Sequence, residues 1–310
     1  GASADQAIFY LAEIEYTLGA RDKAIARYES MLRNKAYAKS SLRPDAQYAL
    51  GVAYEEAQQL VKANEVYNDF LGEHKEHRLR NEVQMRLADI LITQKNYEEA
   101  TKLLRALSAD DKNPMADYAL LRLGYSLTQQ NLVDEATAKY DELKTRFPES
   151  KHLSTATLAA GQAAFRAQRW DDAGAKFRSL LSSKETRSAE AAHWLAMTLM
   201  RQNKSAEVIP VLEDALLWTK DSPLEVALRM DYADALYEQP AQLEKARAAY
   251  ELIATEHPED PLAPRAAYNA AFSALQSQKL EAARKWSELF LNKYPQDPLR
   301  NDVAYVAAET

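Results

Sequence analysis

Apolar residues recur three and four positions apart along most of the chain, with polar residues between them. In residues 131–150, NLVDEATAKYDELKTRFPES, the positions Ala136, Tyr140 and Leu143 share one helical face, and the helical pattern stops at Pro148. Such spacing predicts an amphipathic α-helix, because side chains three or four residues apart lie on the same face. Helix-forming residues are abundant, whereas the 310 residues include only 7 glycines and 11 prolines. We therefore predict an all-helical protein with almost no strand.

A register of small residues predicts that these helices come in pairs. Gly124 stands in the middle of a first helix, and Ala136 follows twelve residues later, near the start of a second helix. The first small residues of the eight copies are Ala12, Gly51, Ala88, Gly124, Gly161, Ala196, Ala233 and Ala271. Helices approach closely only where no large side chain separates their backbones. No single pair can bury its apolar face alone, so the pairs are expected to stack along a solenoid.

These residues resemble the tetratricopeptide repeat (TPR). That unit is a helix–turn–helix with a Leu-Gly pair, a small residue after the turn, an aromatic residue one turn later and a closing proline, as in Leu50-Gly51, Ala63 and Tyr67. The leading tryptophan of the family pattern is missing here, and alanine replaces glycine in five copies. The resemblance implies an all-α, right-handed TPR-type α-solenoid of about eight helix-turn-helix repeats plus an unpaired C-terminal helix.

The register predicts one continuous TPR superhelix over residues 4–310. Its repeats are expected at about 4–40, 44–76, 80–112, 115–148, 152–184, 188–221, 223–258 and 262–295, with a partial ninth repeat over 298–310. Residues 1–3 resemble a cloning remnant. We expect the chain to be a fragment of a longer array.

Three second helices are predicted to end at one motif, an aromatic or histidine residue followed by proline. The motifs are Phe147-Pro148, His257-Pro258 and Tyr294-Pro295, each followed by residues whose side-chain oxygens can cap the next helix. This punctuation is similar to that of TPR repeats in bacterial outer-membrane assembly lipoproteins and in periplasmic proteins associated with Tol–Pal. The similarity implies a periplasmic or envelope-associated location, with the cytoplasm as the alternative.

Charge and composition narrow the chemistry. The formal charge of −7 argues against a nucleic-acid partner, and no run approaches the ~20 apolar residues of a membrane-spanning helix. The chain has no cysteine and no phosphate loop, G-x-S-x-G or H-E-x-x-H motif. His74 and His77 have a spacing that would allow them to bind a metal. Their place at an inter-repeat turn favours the other interpretation, that they are solvent-exposed turn residues. We predict a protein that is not an enzyme and has no cofactor and no metal.

The first helices of such a solenoid line its concave face, where ligands of the family usually lie. From the fourth pair onward, the positions around the small residue are unusually rich in methionine and aromatic residues, which suit recognition of apolar or extended segments. The predicted partner-binding residues are Tyr48, Met85, Leu121, Tyr125, Leu158, Phe165, His193, Met197, Met200, Met230, Tyr237, Tyr268 and Phe272. The strongest candidates are Tyr125, Met197 and Phe272, because the outer positions are open to coverage by the adjacent repeat.

The predicted function is a non-enzymatic scaffold that binds a peptide or protein partner in a concave, partly apolar groove. Two alternatives stay open at this point. One is the non-catalytic TPR arm of a larger enzyme or of a secretion or assembly machine. The other is a cell-wall glycan-binding module with Trp170, Trp194, Trp218 and Trp286 as stacking platforms. The sequence predicts neither the identity of the partner nor the oligomeric state.

Overall fold

The computed structural model describes residues 2–184 and 186–310, which form seventeen α-helices and no strand. The helices are α1 Ala2–Thr17, α2 Arg21–Arg33, α3 Arg43–Glu56, α4 Leu60–Glu73, α5 Arg80–Thr93, α6 Tyr97–Ala109, α7 Ala116–Gln129, α8 Val133–Arg146, α9 Leu153–Arg166, α10 Trp170–Leu180, α11 Thr186–Arg201, α12 Ser205–Trp218, α13 Glu225–Tyr237, α14 Leu243–Glu256, α15 Ala263–Gln276, α16 Leu280–Lys293 and α17 Arg300–Ala308. Short 3₁₀ turns lie at Lys35–Tyr37, Leu181–Ser183 and Pro240–Gln242. The all-helical prediction is confirmed.

The chain divides into two compact units, one through Leu153 and one from Ser154 onward. In the first unit, α1 packs on α2, α2 on α3, and so on along the helices. In the second unit the same neighbour-to-neighbour packing ends with α17, which lies on α15 and α16 and buries Val303 and Val306. Each unit is therefore built from contacts between successive helices, as expected for a solenoid.

Glycine at the register position makes room for an aromatic ring of the second helix. A Cβ atom added to the glycine would lie 2.1 to 2.5 Å from the facing ring in the pairs Gly51–Tyr67, Gly124–Tyr140 and Gly161–Phe177. These rings are buried, so they have little space into which to move. At Ala88 the corresponding second-helix residue is the smaller Leu104. The close approach inferred from the small residues is confirmed.

The turn inside most pairs has one backbone conformation. The residue seven positions after the first small residue has a positive φ, and the examples are Gly19, Gln58, Lys95, Asn131, Gln168, Asn203 and Gln278. At the second pair, the Gln58 N–H donates to Glu55 O at 2.9 Å and the Gln59 N–H to Tyr54 O at 2.8 Å. This is a Schellman motif, which satisfies the free carbonyl groups at the helix end. The left-handed residue is a glycine at Gly19 and carries a side chain at the other six positions.

The turn between pairs follows the predicted punctuation. The Phe147 N–H donates to Leu143 O at 2.9 Å, and the helix goes no further before Pro148. Asp260 Oδ1 then accepts from the Leu262 N–H at 2.8 Å, just before α15 begins. Asp297 makes the same bond at Leu299, and Asn113 makes it where no such proline motif precedes. A polar side chain at this position thus orders the entry to the next first helix.

Candidate partner-binding surface

Three of the predicted partner-binding residues lie in the core. Met85, Leu158 and Met230 are only 2–4% exposed. All three occupy the position three before the small residue, which neighbouring helices cover at these repeats. They are therefore not part of an accessible surface. The remaining predicted residues are half-buried, except for Tyr125, which is 38% exposed.

In the first unit, Arg86 of α5 lies over the ring of Tyr48, the predicted binding residue of α3. The Arg86 guanidinium is 5.4 Å from the centroid of the Tyr48 ring, and it donates to Glu55 at 2.8 Å. The Tyr48 hydroxyl donates to Glu82, and burial together with this bond raises the pKa of Tyr48 to about 12. These interactions join α3 to α5. Tyr48 therefore already has a cationic partner, Arg86, within its own chain.

The next first helix also combines an arginine, a carboxylate and an aromatic ring, but here the ring belongs to the same helix as the arginine. Arg122 Nε on α7 donates to Asp89 on α5 at 2.5 Å, and its guanidinium lies 5.5 Å from the Tyr125 ring centroid. The Tyr118 hydroxyl also donates to Asp89, at 3.2 Å. Leu121 lies half-buried on the same helix. The half-buried Tyr48 and the exposed Tyr125 are thus combined with ion pairs that link successive first helices.

An aromatic cluster occupies the start of the second unit. Phe165 meets Trp170 edge-on at 5.0 Å between ring centroids and Trp194 at 5.2 Å, and Trp194 stacks on Phe177 at 6.2 Å. The neighbouring His193 ring donates from Nδ1 to the carboxylate of Asp231 on α13, at 2.5 Å. This hydrogen bond raises the pKa of the His193 imidazole. Because Phe165, Trp170, Trp194 and Phe177 contact one another, these aromatic residues have a packing role.

Further along the second unit, α11, α13 and α15 form an open pocket of about 350 Å³. Its apolar walls come from four of the predicted residues, Met200, Tyr237, Tyr268 and Phe272. The Tyr268 and Phe272 rings stack at 5.9 Å between centroids with an angle of 26° between their planes. The structure thus brings together predicted residues from three successive first helices. Met197, on α11, is half-buried and does not line this pocket.

The polar lining of the pocket comes from residues that the sequence did not single out for binding. They are Asp234, Glu238, Arg265 and Asn269. Asp234 accepts from Arg265 at 2.6 Å and from the Tyr250 hydroxyl at 2.6 Å. Glu238 is exposed, and its carboxylate has no hydrogen-bond or ion-pair partner among the described residues. A signal was present in the sequence, since Arg265, Asn269 and Phe272 share one face of α15 by their spacing.

Other candidate chemistry has ordinary structural partners. His74 Nε2 lies 2.6 Å from Gln47 Oε1, and the part of the chain that the structure describes contains no group of three or more residues able to hold a metal ion. Trp286 is buried, and its Nε1 donates to Glu251 at 2.7 Å. Within residues 2–184 and 186–310, no helix combines the length and the apolar character that crossing a membrane requires.

Taken together, the stacked helix pairs and the open face of the first helices define a repeat solenoid of the TPR type. Residues 48–114 and 85–151 each match the family model described as Tetratricopeptide repeat, so the chain contains these repeats. A tetratricopeptide repeat protein from Parabacteroides merdae ATCC 43184 is similar in structure, with a TM-score of 0.54 and 17% identity, over 86% of this chain and 98% of that one. The apo form of RapI is similar with a TM-score of 0.61 and 10% identity, over 85% of this chain and 79% of its own. A search of curated protein sequences gives no match.

Proposed function

We propose that this protein is a non-enzymatic interaction scaffold that binds an extended segment of a protein partner on the first helices of its second unit. The observation that carries the proposal is the pocket whose walls are Met200, Tyr237, Tyr268 and Phe272. Methionine and aromatic side chains at an accessible surface adapt to apolar segments and are enriched at interfaces. The repeats that match the TPR family support a binding role, and the net charge of −7 supports a protein partner over a nucleic acid.

The size of the pocket suits one side chain of a partner. Ligand pockets commonly measure about 300–1,000 Å³, and this pocket of about 350 Å³ lies at the small end of that range. The polar residues Asn269 and Glu238 lie beside the apolar walls, where they can orient a bound backbone or side chain. We infer that one side chain of the partner enters the pocket while the flanking residues extend along α11, α13 and α15.

The test is selection of binders from a displayed library of random linear peptides, followed by titration against variants. Phe272→Ala is expected to weaken the selected peptides by more than about tenfold. The matched control is Leu217→Ala, because Leu217 is an apolar residue of α12 that is 82% exposed and outside the pocket. Circular dichroism melts establish that both variants stay folded. Peptides that bind both variants as tightly as the parent would contradict the proposed site.

The punctuation between repeats is the basis for a proposed location of the protein. We infer a periplasmic or envelope-associated location, because the Phe147-Pro148 and Tyr294-Pro295 endings resemble those of bacterial envelope repeats. The cytoplasm is the alternative. Fractionation of the source cells with an antibody against this chain distinguishes the two, and recovery only in the cytoplasmic fraction would refute the envelope location.

A further inference from the structure

We propose that the pocket between α13 and α15 receives a cationic side chain of the partner, an arginine or a lysine. This inference rests on the proposed function and specifies the chemistry of the same site. It is carried by the aromatic walls, by the charge of the lining and by a comparison with the same register positions in the first unit.

The walls offer aromatic faces. Tyr268 and Phe272 stack nearly parallel at 5.9 Å, and Tyr237 lines the pocket from the neighbouring first helix. The face of an aromatic ring is negative, so it attracts an ammonium or a guanidinium, and a planar guanidinium also stacks on it. In the described part of the chain, no lysine or arginine lies over any of these three rings.

The charges of the lining favour a cation. Two carboxylates, those of Asp234 and Glu238, share the pocket with one guanidinium, that of Arg265. Arg265 and the Tyr250 hydroxyl already satisfy Asp234, whereas Glu238 has no partner among the described residues. A cation that enters the pocket therefore reaches Glu238 without displacing Arg265 from Asp234.

In the first unit, the chain itself supplies a cation beside the aromatic rings of the first helices. Arg86 and Arg122 each lie two residues before the small residue of their helix, and each forms an ion pair with a carboxylate of the preceding first helix. Each of these guanidinium groups also lies over an aromatic ring, at 5.4 and 5.5 Å respectively. In α15 the equivalent position is Asn269, which lines the pocket together with the aromatic residues and the acids. The second unit thus has the rings and a free carboxylate, while the guanidinium at this register position is missing.

Nuclear magnetic resonance of the whole chain, labelled with ¹³C at its methionine methyl groups, provides the test. Met200 lines the pocket, and Met200→Leu identifies its signal among the 6 methionines. The probes are capped alanine pentapeptides with arginine, citrulline or leucine at the centre, because citrulline has nearly the shape of arginine without its charge. We expect the arginine peptide to shift the Met200 signal with an affinity at least about tenfold higher than that of the citrulline peptide.

Two variants assign the effect to the pocket. Glu238→Gln is expected to weaken the arginine peptide by about fivefold or more and to leave the citrulline peptide unchanged. The matched control is Glu281→Gln, which removes an equal charge from an exposed position of α16. Phe272→Leu keeps an apolar wall but removes a ring face, and it should also weaken the arginine peptide.

The outcomes separate this inference from the proposed function. Equal binding of the arginine and citrulline peptides, or tighter binding of the leucine peptide, would overturn the cation assignment and leave the scaffold standing. Equal effects of Glu238→Gln and Glu281→Gln would also overturn it, because the attraction would then be a general one. No shift with any peptide would contradict the proposed binding site itself.

Discussion

The first helices of the two units are built on the same repeat, but their exposed faces differ in whether an arginine of the chain covers the aromatic rings. In the first unit, Arg86 and Arg122 lie over the aromatic rings and pair with acids on the neighbouring helix. In the second unit, Tyr268 and Phe272 have no such cover, and they form the wall of an open pocket. The core does not differ in the same way, since Tyr67 and Tyr250 are buried alike behind their small residues. Surface positions of a repeat can therefore change without altering the contacts that hold the repeats together.

The shared core gives the largest expected effect. Gly124→Ala puts a Cβ atom 2.4 Å from the buried Tyr140 ring, so the free energy of unfolding should fall by about 1–3 kcal/mol. Adding Tyr140→Leu reproduces the Ala88–Leu104 combination and should make the double variant less destabilised than the two single changes predict together. The control is Gly72→Ala, where nothing lies within 4 Å of an added Cβ. Urea denaturation measures all four variants, and a strictly additive double variant would argue against this contact.

The ion pairs of the first unit give the next effect. Arg122→Asn copies the residue found at Asn269 and removes the guanidinium from Asp89 and from the Tyr125 ring. Because both side chains of the ion pair are partly buried, we expect a loss of about 1–2 kcal/mol in the free energy of unfolding. The variant should also gain weak binding of the arginine-centred peptide near Tyr125. Arg105→Asn, at an ion pair whose side chains are both 49% exposed, is the control that should change little. Unchanged stability of Arg122→Asn would mean that the first unit is not held by this ion pair.

The pair of His193 and Asp231 adds a pH-dependent contribution to the second unit. The hydrogen bond raises the pKa of His193 in the folded protein, so the stabilisation from this histidine is present below its unfolded pKa of about 6.5 and is lost as the pH rises through the folded value. Burial raises the pKa of Asp231, so the pair also weakens where that carboxylate becomes protonated in acid. His193→Gln should therefore cost about 1 kcal/mol at about pH 5.5 and less at about pH 8.5. Urea denaturation at the two pH values measures the difference. A cost that grows with pH would have the wrong sign for this pair.

The turn inside the pairs gives the smallest effect. Gln168 has a φ of 60°, a conformation that costs a residue with a Cβ atom more than it costs glycine. We expect Gln168→Gly to raise the free energy of unfolding by about 0.5 kcal/mol, and Gly19→Ala to lower it by about 1 kcal/mol. Thermal melts of the two variants should move in opposite directions. Destabilisation by Gln168→Gly would show that its side chain contributes more than the backbone strain costs.

The sequence was sufficient to predict the features that depend on local interactions and recur in each repeat. Gly51 and Gly124 indicated close helix approach, and Pro148 indicated a helix end, because each acts locally. It could not show that Met85 is buried while Tyr125 is exposed, since that depends on how far the neighbouring helices extend over each position. It also missed Glu238 and Asn269, whose polar side chains are ordinary on a helix surface until the pocket places them beside aromatic rings. The left-handed turn at Gln58 was missed because glutamine carries no signal for a positive φ.

The affinity of Asn269→Arg for the arginine-centred peptide tests most directly whether the open face of the second unit binds the partner. This change gives α15 the guanidinium that Arg86 and Arg122 provide in the first unit, next to Tyr268 and Phe272. We expect binding to weaken by at least about tenfold while the melting temperature stays nearly unchanged, because the chain then fills its own pocket. An unchanged affinity in a fully folded variant would contradict the claim that the open face of the second unit is the binding site.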